Sequence, residues 1–350
     1  MNDEKVAHTF HGLITDNPVT MVLDFPLSTV AAPLLSFVLS FFSILWLIKR
    51  KSDRLLDYPN SRSLHSVPVP RIGGLGLLFG VIVTWLLFSV VMPVAVWIGV
   101  GLLGVISFID DIWHAPIWCR LLIQSVVAAG FSVAVLLDIH GWVIVLCVTV
   151  AIIWMSNLYN FMDGSDGLAG GMAVIGFGYY GLSAYLAGNT GFAVINFSIA
   201  AAAMAFLLHN FYPARIFLGD VGAIPLGFLA AALGVLGWIN HLWPIGVPLL
   251  VFSPFIADAT VTLIKRLLRG EKIWRAHREH YYQRMVQSGL GHRNTALLGY
   301  ALMLVVGGSA VWAGRQDVAV QCWVAMIWGS FYLILMFISD WSQKYHSDRG

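Results

Sequence analysis

Five aspartates occupy short settings rich in glycine and asparagine, each at the end of an apolar run: Asp110, Asp111, Asp163, Asp166 and Asp220. Adjacent carboxylates repel each other unless a cation neutralises them. A hard cation such as Mg²⁺ or Mn²⁺ prefers oxygen ligands, and Mg²⁺ usually takes one or two carboxylates together with the phosphates of a substrate. These residue types therefore predict a magnesium site that acts on phosphates, with manganese as the other candidate.

Two of these aspartates continue a pattern with a spacing of three. Asn157, Asn160, Asp163 and Asp166 follow one another at that interval, so a helical end would present all four on one face. Glycines beside the aspartates permit a phosphate to approach the backbone closely, and a helix beginning near Gly167 would offer it amides. The alternative is that each acid is a solvated flank of an apolar helix, but five in such settings favour a site.

The connector 265–295 combines cations, aromatic residues and two histidines, His277 and His280. Three interpretations compete: a zinc site, a basic flank of a membrane helix, and a pocket for an anionic substrate. Zinc needs at least three protein ligands and no cysteine is near, so anion binding by His277, His280 and Arg284 is favoured.

Two isolated residues are ambiguous. Arg71 follows two prolines and precedes Gly73, so a plain turn and a phosphate contact are equally plausible. Asp258 lies inside an apolar run, where a carboxylate is costly and is by default functional, although a hydrogen bond between packed helices explains it nearly as well.

The elements that must position these residues are membrane helices. The 350 residues are 59% hydrophobic and 11% charged, with a mean hydropathy of +0.80, whereas soluble domains are about 25% charged. The apolar runs are too long and unbroken for barrel strands. They predict an all-α polytopic membrane protein with about eleven transmembrane helices, at 27–48, 73–92, 94–109, 119–137, 141–157, 168–187, 191–208, 221–238, 243–264, 296–313 and 319–339.

Charge distribution predicts the orientation of these helices. Short connectors alternate with five longer ones (49–72, 110–118, 158–167, 209–220 and 265–295). Of the 20 Lys and Arg residues, 17 lie in the longer connectors and the C-terminal tail, and Arg120 flanks the second longer connector, which makes 18 on one side. Basic residues collect on the cytoplasmic side, so we expect these connectors and the C-terminus in the cytoplasm and the N-terminus outside. We expect one membrane domain over 1–350, with a polar segment at 1–26 and a tail at 340–350. A net charge of +2 gives no case for a nucleic-acid partner.

Taken in order, the motifs resemble those of a known family, the polyprenyl-phosphate N-acetylhexosamine-1-phosphate transferases of glycosyltransferase family 4. The motifs that carry the resemblance are Arg71-Ile-Gly-Gly, Phe108-Ile-Asp-Asp111, Asn157-x-x-Asn160-x-x-Asp163-Gly-x-Asp166-Gly, Phe217-Leu-Gly-Asp220 and the segment from His277 to Arg284. The resemblance implies Mg²⁺-dependent transfer of N-acetylhexosamine-1-phosphate from a UDP-sugar to undecaprenyl phosphate, with release of UMP. It also implies a location in the bacterial inner membrane, among its lipids, with the active site on the cytoplasmic face. A homodimer remains open.

The resemblance assigns roles to individual acids. Asp220 is expected to bind the metal, and Asp110 and Asp111 to lie beside the metal and the lipid phosphate. Asp163 and Asp166 are expected to line the nucleotide site and to act in catalysis. The sequence leaves open whether Asp110 or Asp111 removes a proton from the acceptor or forms a covalent intermediate.

The remaining expected residues bind substrate. Phe217 would stack on the uracil, and His280 would contact the diphosphate. The full set expected to bind substrate is Arg71, Asn157, Asn160, Phe217, His277, His280 and Arg284.

One departure concerns the sugar. Many family members carry a histidine-rich run in the last connector, where this chain has His280-Tyr281-Tyr282. That segment is more similar to the branch that initiates lipopolysaccharide O-antigen, for which UDP-GlcNAc, UDP-FucNAc and UDP-QuiNAc are all open.

The rival class is a membrane transporter or lipid flippase, which typically places ionisable groups at the bilayer midplane within repeated halves. A CDP-alcohol phosphotransferase is a second alternative, and the transferase is favoured over both.

Overall fold

A computed structural model describes residues 25–50, 55–59, 64, 67–113, 115–272 and 277–347. Within these residues the fold is a bundle of helices, as the apolar runs predict. Only helices satisfy all their backbone hydrogen bonds internally within such runs. The helices are α1 (Phe25–Lys49), α2 (Gly73–Leu87), α3 (Val94–Trp113), α4 (Ile117–Phe161), α5 (Leu168–Leu186), α6 (Thr190–Asn210), α7 (Asp220–Ile239), α8 (Gly246–Val251), α9 (Ser253–Leu268), α10 (Tyr281–Met285), α11 (Gly291–Ala313) and α12 (Val318–Ser347).

Seven stretches of the described chain are long and apolar enough to cross a membrane: Leu27–Lys49, Val94–Trp113, Ile117–Phe161, Thr190–Asn210, Asp220–Ile239, Tyr281–Ala313 and Val318–Ser342. All eleven predicted runs fall on helices, but α2, α5, α8 and α9 are too short or too weakly apolar to be among the seven. A polytopic all-α membrane protein is therefore confirmed. The count of eleven crossings is not confirmed.

Helix α4 accounts for part of the difference in count. Its 45 residues would extend about 68 Å if straight, roughly twice the thickness of a bilayer core. At Gly141 the backbone leaves helical geometry (φ 71°, ψ 178°). The Asn157 Nδ2 atom donates to Gln124 Oε1 at 2.6 Å, although the two residues are 33 positions apart. The two halves of α4 therefore fold against each other, as two separate runs predicted.

Helix α7 lies at the centre of the bundle and α12 at its edge. Within their most apolar windows, 83% of α7 is buried but only 11% of α12. The apolar side chains that α12 leaves exposed, Phe337 and Ile338 among them, suit a surface in contact with lipid. Because α7 begins at Asp220, the candidate metal ligand stands at the end of the most enclosed helix.

A two-residue antiparallel ladder, which the sequence did not predict, joins the first connector to the bundle. Strands β1 (Leu56–Asp57) and β2 (Val69–Pro70) pair with each other. The Pro70 carbonyl accepts from Phe217 N at 2.7 Å, and Gly73 N donates to the Phe217 carbonyl at 2.8 Å. Helix α2 approaches α7 so closely at Gly74 that a Cβ there would overlap the Gly222 backbone. These contacts bring Arg71 and the start of α7 together.

All five long connectors meet at one end of the bundle, which we call the connector end. Arg71 of the first connector contacts Asp111, and Arg120 contacts both Asp110 and Asp220. Tyr282 of the last connector donates to the Phe161 carbonyl at 2.9 Å. The sequence predicted this common face. That it is cytoplasmic, with the N-terminus outside, stays a prediction. So does the single domain over 1–350, because residues 1–24 and 348–350 lie outside the described part.

Candidate active site

Asp111, near the C-terminus of α3, is buried and reaches the first turn of α7. Its Oδ2 atom accepts from Val221 N at 3.0 Å, and its Oδ1 atom lies 3.4 Å from Asp220 N. A carboxylate at this place satisfies amides that have no partner within α7. Asp111 therefore holds the end of α3 against the helix that begins with Asp220.

Two arginines supply positive charge beside these carboxylates. Arg120, in the first turn of α4, places Nη1 2.5 Å from Asp110 Oδ2 and 3.0 Å from Asp220 Oδ2. Arg71 lies 3.9 Å from Asp111 Oδ1 and donates to the Asp111 carbonyl. From the sequence, Arg120 was only a basic residue that flanks the second long connector. Arg120 follows Asp111 by only nine residues across a short connector, and this spacing could have indicated that the two residues belong to one site.

Asp163 lies in the loop between α4 and α5, within electrostatic range of the same acids. Burial raises the pKa of the Asp163 carboxyl well above its ordinary value, and the negative charges of Asp220 and Asp111 raise it further. A backbone hydrogen bond from Gly219 acts in the opposite direction. Gly219 has a φ of +73°, and a Cβ at this position would overlap the Arg71 carbonyl, so only glycine fits there.

Asn160 and Asp166 also lie at the connector end. The Asn160 side chain lies beside the Asp220 carboxylate and stabilises its charged form. Asp166 is buried, and its Oδ2 atom accepts from Ala214 N at 3.0 Å. The structure thus gathers Asp110, Asp111, Asn160, Asp163 and Asp220, and it ties Asp166 to the loop before α7. Asn157 is different, because its amide is occupied by Gln124.

His292 is a partly buried residue that connects three segments of the site and that sequence reasoning missed. Its Nδ1 atom lies 2.9 Å from Ser165 Oγ and 3.3 Å from Asp166 N, and its Nε2 atom lies 3.2 Å from the Leu64 carbonyl. The ring stacks nearly parallel to Tyr212, with centroids 5.8 Å apart. His292 therefore joins the first connector, the Asp166 loop and the loop before α7. Its location in the last connector was the only signal.

The last connector presents its histidines against the Asp163 loop. The ring of His280 packs on Phe161 at 6.2 Å and on His277 at 4.8 Å between centroids. Burial, then the neighbouring His280 and Arg266, lower the pKa of His277 to about 4, so His277 is neutral at pH 7. Zinc would need a third ligand here, and among the residues that the structure places, no three His, Cys, Asp or Glu side chains form a metal-binding group.

The Arg284 side chain is bound to residues of α12 rather than to the clustered acids. Its Nη1 atom forms an ion pair with Asp340 Oδ1 at 2.7 Å, and its Nη2 atom donates to the Ser339 carbonyl at 3.1 Å. Arg266 and Arg269 form ion pairs with Glu279. Acids therefore balance several cations of this connector, and the substrate role of Arg284 remains a prediction.

The acidic residues fit a magnesium ion as an open site. Among the residues that the structure describes, no three His, Cys, Asp or Glu side chains form a closed cage for a metal. Magnesium, however, is commonly held by one or two carboxylates, water and substrate phosphates. The donors near Asp220 are all hard oxygens, and Arg120 already brings one positive charge between Asp110 and Asp220. Asp220, with Asn160 beside it, is the residue that would hold the metal.

Comparison with known proteins shows which class this chain is similar to. Residues 93–238 match the model of glycosyl transferase family 4. A probable undecaprenyl-phosphate N-acetylglucosaminyl 1-phosphate transferase from Bacillus subtilis (strain 168) is 28% identical over 325 residues, covering 87% of this chain and 88% of the relative. A decaprenyl-phosphate N-acetylglucosaminephosphotransferase from Mycolicibacterium smegmatis is 29% identical, covering 72% of this chain and 74% of the relative.

A third relative, the undecaprenyl-phosphate alpha-N-acetylglucosaminyl 1-phosphate transferase of Escherichia coli (strain K12), is 25% identical, covering 78% of this chain and 80% of the relative. Over residues 93–238 the chain is similar to glycosyl transferase family 4, which supports the resemblance to the polyprenyl-phosphate N-acetylhexosamine-1-phosphate transferases. The seven apolar spans make the chain a multi-pass membrane protein.

Proposed function

We propose that the protein transfers N-acetylhexosamine-1-phosphate from a UDP-N-acetylhexosamine to undecaprenyl phosphate, giving undecaprenyl-diphosphate-N-acetylhexosamine and UMP. The observation that carries this proposal is the meeting of Asp110, Asp111, Asp163 and Asp220 with Arg71 and Arg120 at one end of the bundle. A lipid phosphate can reach such a place from the membrane, and a nucleotide can reach it from water.

The reaction joins two anions. An oxygen of the lipid phosphate attacks the phosphorus that carries the sugar, and the bond from that phosphorus to the bridging oxygen breaks as UMP leaves. Bound Mg²⁺ would neutralise charge on the diphosphate and the leaving oxygen. Arg71 and Arg120 supply fixed positive charge at the same place. Because much of the acceptor phosphate is dianionic at neutral pH, no strong base is required.

The contacts of Asp110 and Asp111 favour direct displacement by the lipid phosphate over a covalent intermediate on either carboxylate. Asp111 accepts hydrogen bonds from the first turn of α7, and Asp110 is ion-paired with Arg120. Either carboxylate would have to leave these partners before it could attack phosphorus. We therefore propose that both hold α7 and Arg120 in place beside the metal and the lipid phosphate.

The residues proposed to bind the nucleotide of the UDP-sugar come from the family resemblance, and backbone hydrogen bonds of Phe217 support one of them. Phe217 is proposed to stack on the uracil, and its N–H and carbonyl are both fixed by the segment that contains Arg71. Asn160, Asp163 and Asp166 are proposed to line the nucleotide site, with His280 at the diphosphate. Arg71 and His277 complete the proposed binding surface.

The names of the relatives and the last connector support the proposed sugar and pathway. The three relatives are named for N-acetylglucosamine. The His280-Tyr281-Tyr282 segment favours the branch that initiates O-antigen, with UDP-FucNAc and UDP-QuiNAc as further donors. The proposed location is the bacterial inner membrane, with the connector end in the cytoplasm. The transporter alternative has less support, because the acids gather at helix ends.

The proposal is tested with purified protein, undecaprenyl phosphate, MgCl₂ and a panel of UDP-N-acetylhexosamines, with UMP release as the measurement. We expect UMP only when lipid phosphate and a matching sugar are both present, and loss of release in EDTA. Asp220→Asn is expected to lower the rate at least a hundredfold. If no sugar of the panel gives UMP release with the wild-type protein, the transferase proposal is refuted. If Asp220→Asn releases UMP at the wild-type rate, the metal assignment is refuted.

A further inference from the structure

Asp258 is a carboxylate within α9 that the proposed reaction does not use. The residue is 6% exposed, so its charge must be compensated by neighbours. Among the described residues its ion-pairing partner is His280, which is 22 positions away and itself buried. Neither Lys nor Arg forms a described ion pair with it.

Four donors converge on this carboxylate. Its Oδ1 atom lies 2.9 Å from Tyr281 N, 3.2 Å from His280 Nδ1 and 3.2 Å from Thr262 Oγ1. Its Oδ2 atom lies 2.9 Å from Tyr282 N. Two of the donors are the first amides of α10, which have no partner within that helix. Asp258 therefore fixes the beginning of the segment that follows His280.

The hydrogen bond between His280 Nδ1 and Asp258 also determines which nitrogen of the imidazole ring carries a proton. An ionised carboxylate only accepts hydrogen bonds, so His280 Nδ1 must carry a proton to approach Asp258 favourably. Nε2 is then the nitrogen left to meet a substrate. A second proton at Nε2 would make the ring a donor to phosphate, and the charge of Asp258 would offset the positive charge that results.

Other contacts place this ring beside the proposed active site. His280 packs against Phe161 and Tyr282, and the Tyr282 hydroxyl donates to the Phe161 carbonyl at 2.9 Å. Phe161 ends α4, two residues before Asp163. The hydrogen bonds to Asp258 therefore hold His280 against the loop that carries one of the clustered acids.

We propose that Asp258 is a positioning residue, which orients His280 through Nδ1 so that its Nε2 edge faces the diphosphate of the donor. This inference rests on the proposed function, since it assigns Asp258 a part in the same site. It predicts that Asp258 and His280 act as one unit, and that Asp258 has little influence on the rate when His280 is absent.

The test is a double-mutant cycle on the full chain in detergent. UMP release is measured for wild type, Asp258→Asn, His280→Ala and the double variant. We expect Asp258→Asn to lower kcat about ten- to a hundredfold, with less than a threefold change in KM for the UDP-sugar. In the His280→Ala background the same change should alter the rate less than threefold. Thr262→Val is the matched control, because it removes one donor to the same oxygen and should leave the rate within threefold of wild type.

The outcomes separate this inference from the proposed function. No UMP release by the wild-type protein refutes the proposed function itself. With an active wild type, an unchanged rate in Asp258→Asn overturns the positioning role, as does an equal loss with and without His280. Aggregation of both Asp258→Asn and Asp258→Glu would make Asp258 a residue required for folding, and would overturn the inference too.

Discussion

At the scale of residues, the site is defined by acids that would repel one another without positive charge. Asp163 shows this most clearly, because burial and the charges of Asp220 and Asp111 all raise the pKa of its carboxyl. Arg120 bridges Asp110 and Asp220. The site therefore depends on cations, both those of the chain and the proposed Mg²⁺.

Arg120→Gln should lower UMP release at least tenfold, because Asp110 and Asp220 lose the charge between them. Arg120→Lys should retain an intermediate rate, since it keeps the charge but not the planar group that reaches two carboxylates. Arg315→Gln, in the short connector 314–318, is a matched control and should be close to wild type. An Arg120→Gln protein as fast as wild type would remove Arg120 from the site.

Asp163→Asn should raise the apparent Tm in EDTA by a few degrees while it lowers UMP release at least a hundredfold. The amide has nearly the same shape as the carboxyl but carries no charge, so the repulsion from Asp220 and Asp111 disappears. Thermal unfolding followed by tryptophan fluorescence in detergent measures the first effect. A lower Tm together with full activity would contradict this view of Asp163.

His277 predicts a pH dependence of stability. Its pKa is lowered to about 4 in the fold, from an ordinary value near 6.5. Between these values the unfolded chain binds more protons than the folded protein, so this group's contribution to stability is lost as the pH falls below about 6.5. The Tm of His277→Gln relative to that of the wild type should therefore be higher at pH 5 than at pH 7. A difference independent of pH would contradict the assignment.

At the scale of elements, the site is assembled where helices end. Helix α7 begins at Asp220, α3 ends just after Asp111, and α4 ends two residues before Asp163. The short helix α10 is held on one side by Asp258 of α9 and on the other by Asp340 of α12, which accepts from Lys265, Tyr281 and Arg284. The last connector is therefore held by two helices of the bundle, α9 and α12.

Asp340→Asn should loosen this connection from the side of α12. We expect faster hydrogen exchange of the amides of Tyr281–Met285, measured by mass spectrometry, because the ion pairs with Lys265 and Arg284 are lost. Asp317→Asn, just before the opposite end of α12, is the matched control and should leave that exchange unchanged. Unchanged exchange in Asp340→Asn would show that α12 does not hold the connector.

Some of this arrangement could be predicted from sequence and some could not. The apolar runs, the break near Gly141 and the clustered acids follow from local composition and spacing. Arg120 to Asp220 and His292 to Asp166 are contacts across 100 and 126 positions, and they arise only when separate helices pack. Asp258 was recognisable as an intramembrane acid, but its partners at 280–282 depend on the return of the connector to α9.

At the scale of the whole molecule, the alternation of short and long connectors gives the bundle two different ends. The long connectors carry the acids and most of the cations to one of them. That gathering explains how a chain with a net charge of +2 can still present a strongly charged site. The predicted orientation places this end in the cytoplasm.

The orientation is testable with single cysteines in a background from which Cys119, Cys147 and Cys322 have been removed. Lys272→Cys, at the connector end, should react with a membrane-impermeant maleimide only after the cells are permeabilised. Gln316→Cys, at the other end, should react in intact cells. The reverse pattern would place the connector end outside and contradict the predicted topology.

The most direct test of the central claim follows the phosphorus that carries the sugar. UDP-N-acetylglucosamine labelled at its β-phosphorus is incubated with purified protein, Mg²⁺ and undecaprenyl phosphate, and the products are separated into lipid and aqueous fractions. The proposed transfer predicts that the label moves into the lipid fraction while an equal amount of unlabelled UMP appears in water. Label recovered as UDP, or only in water-soluble products while the substrate is consumed, would contradict it.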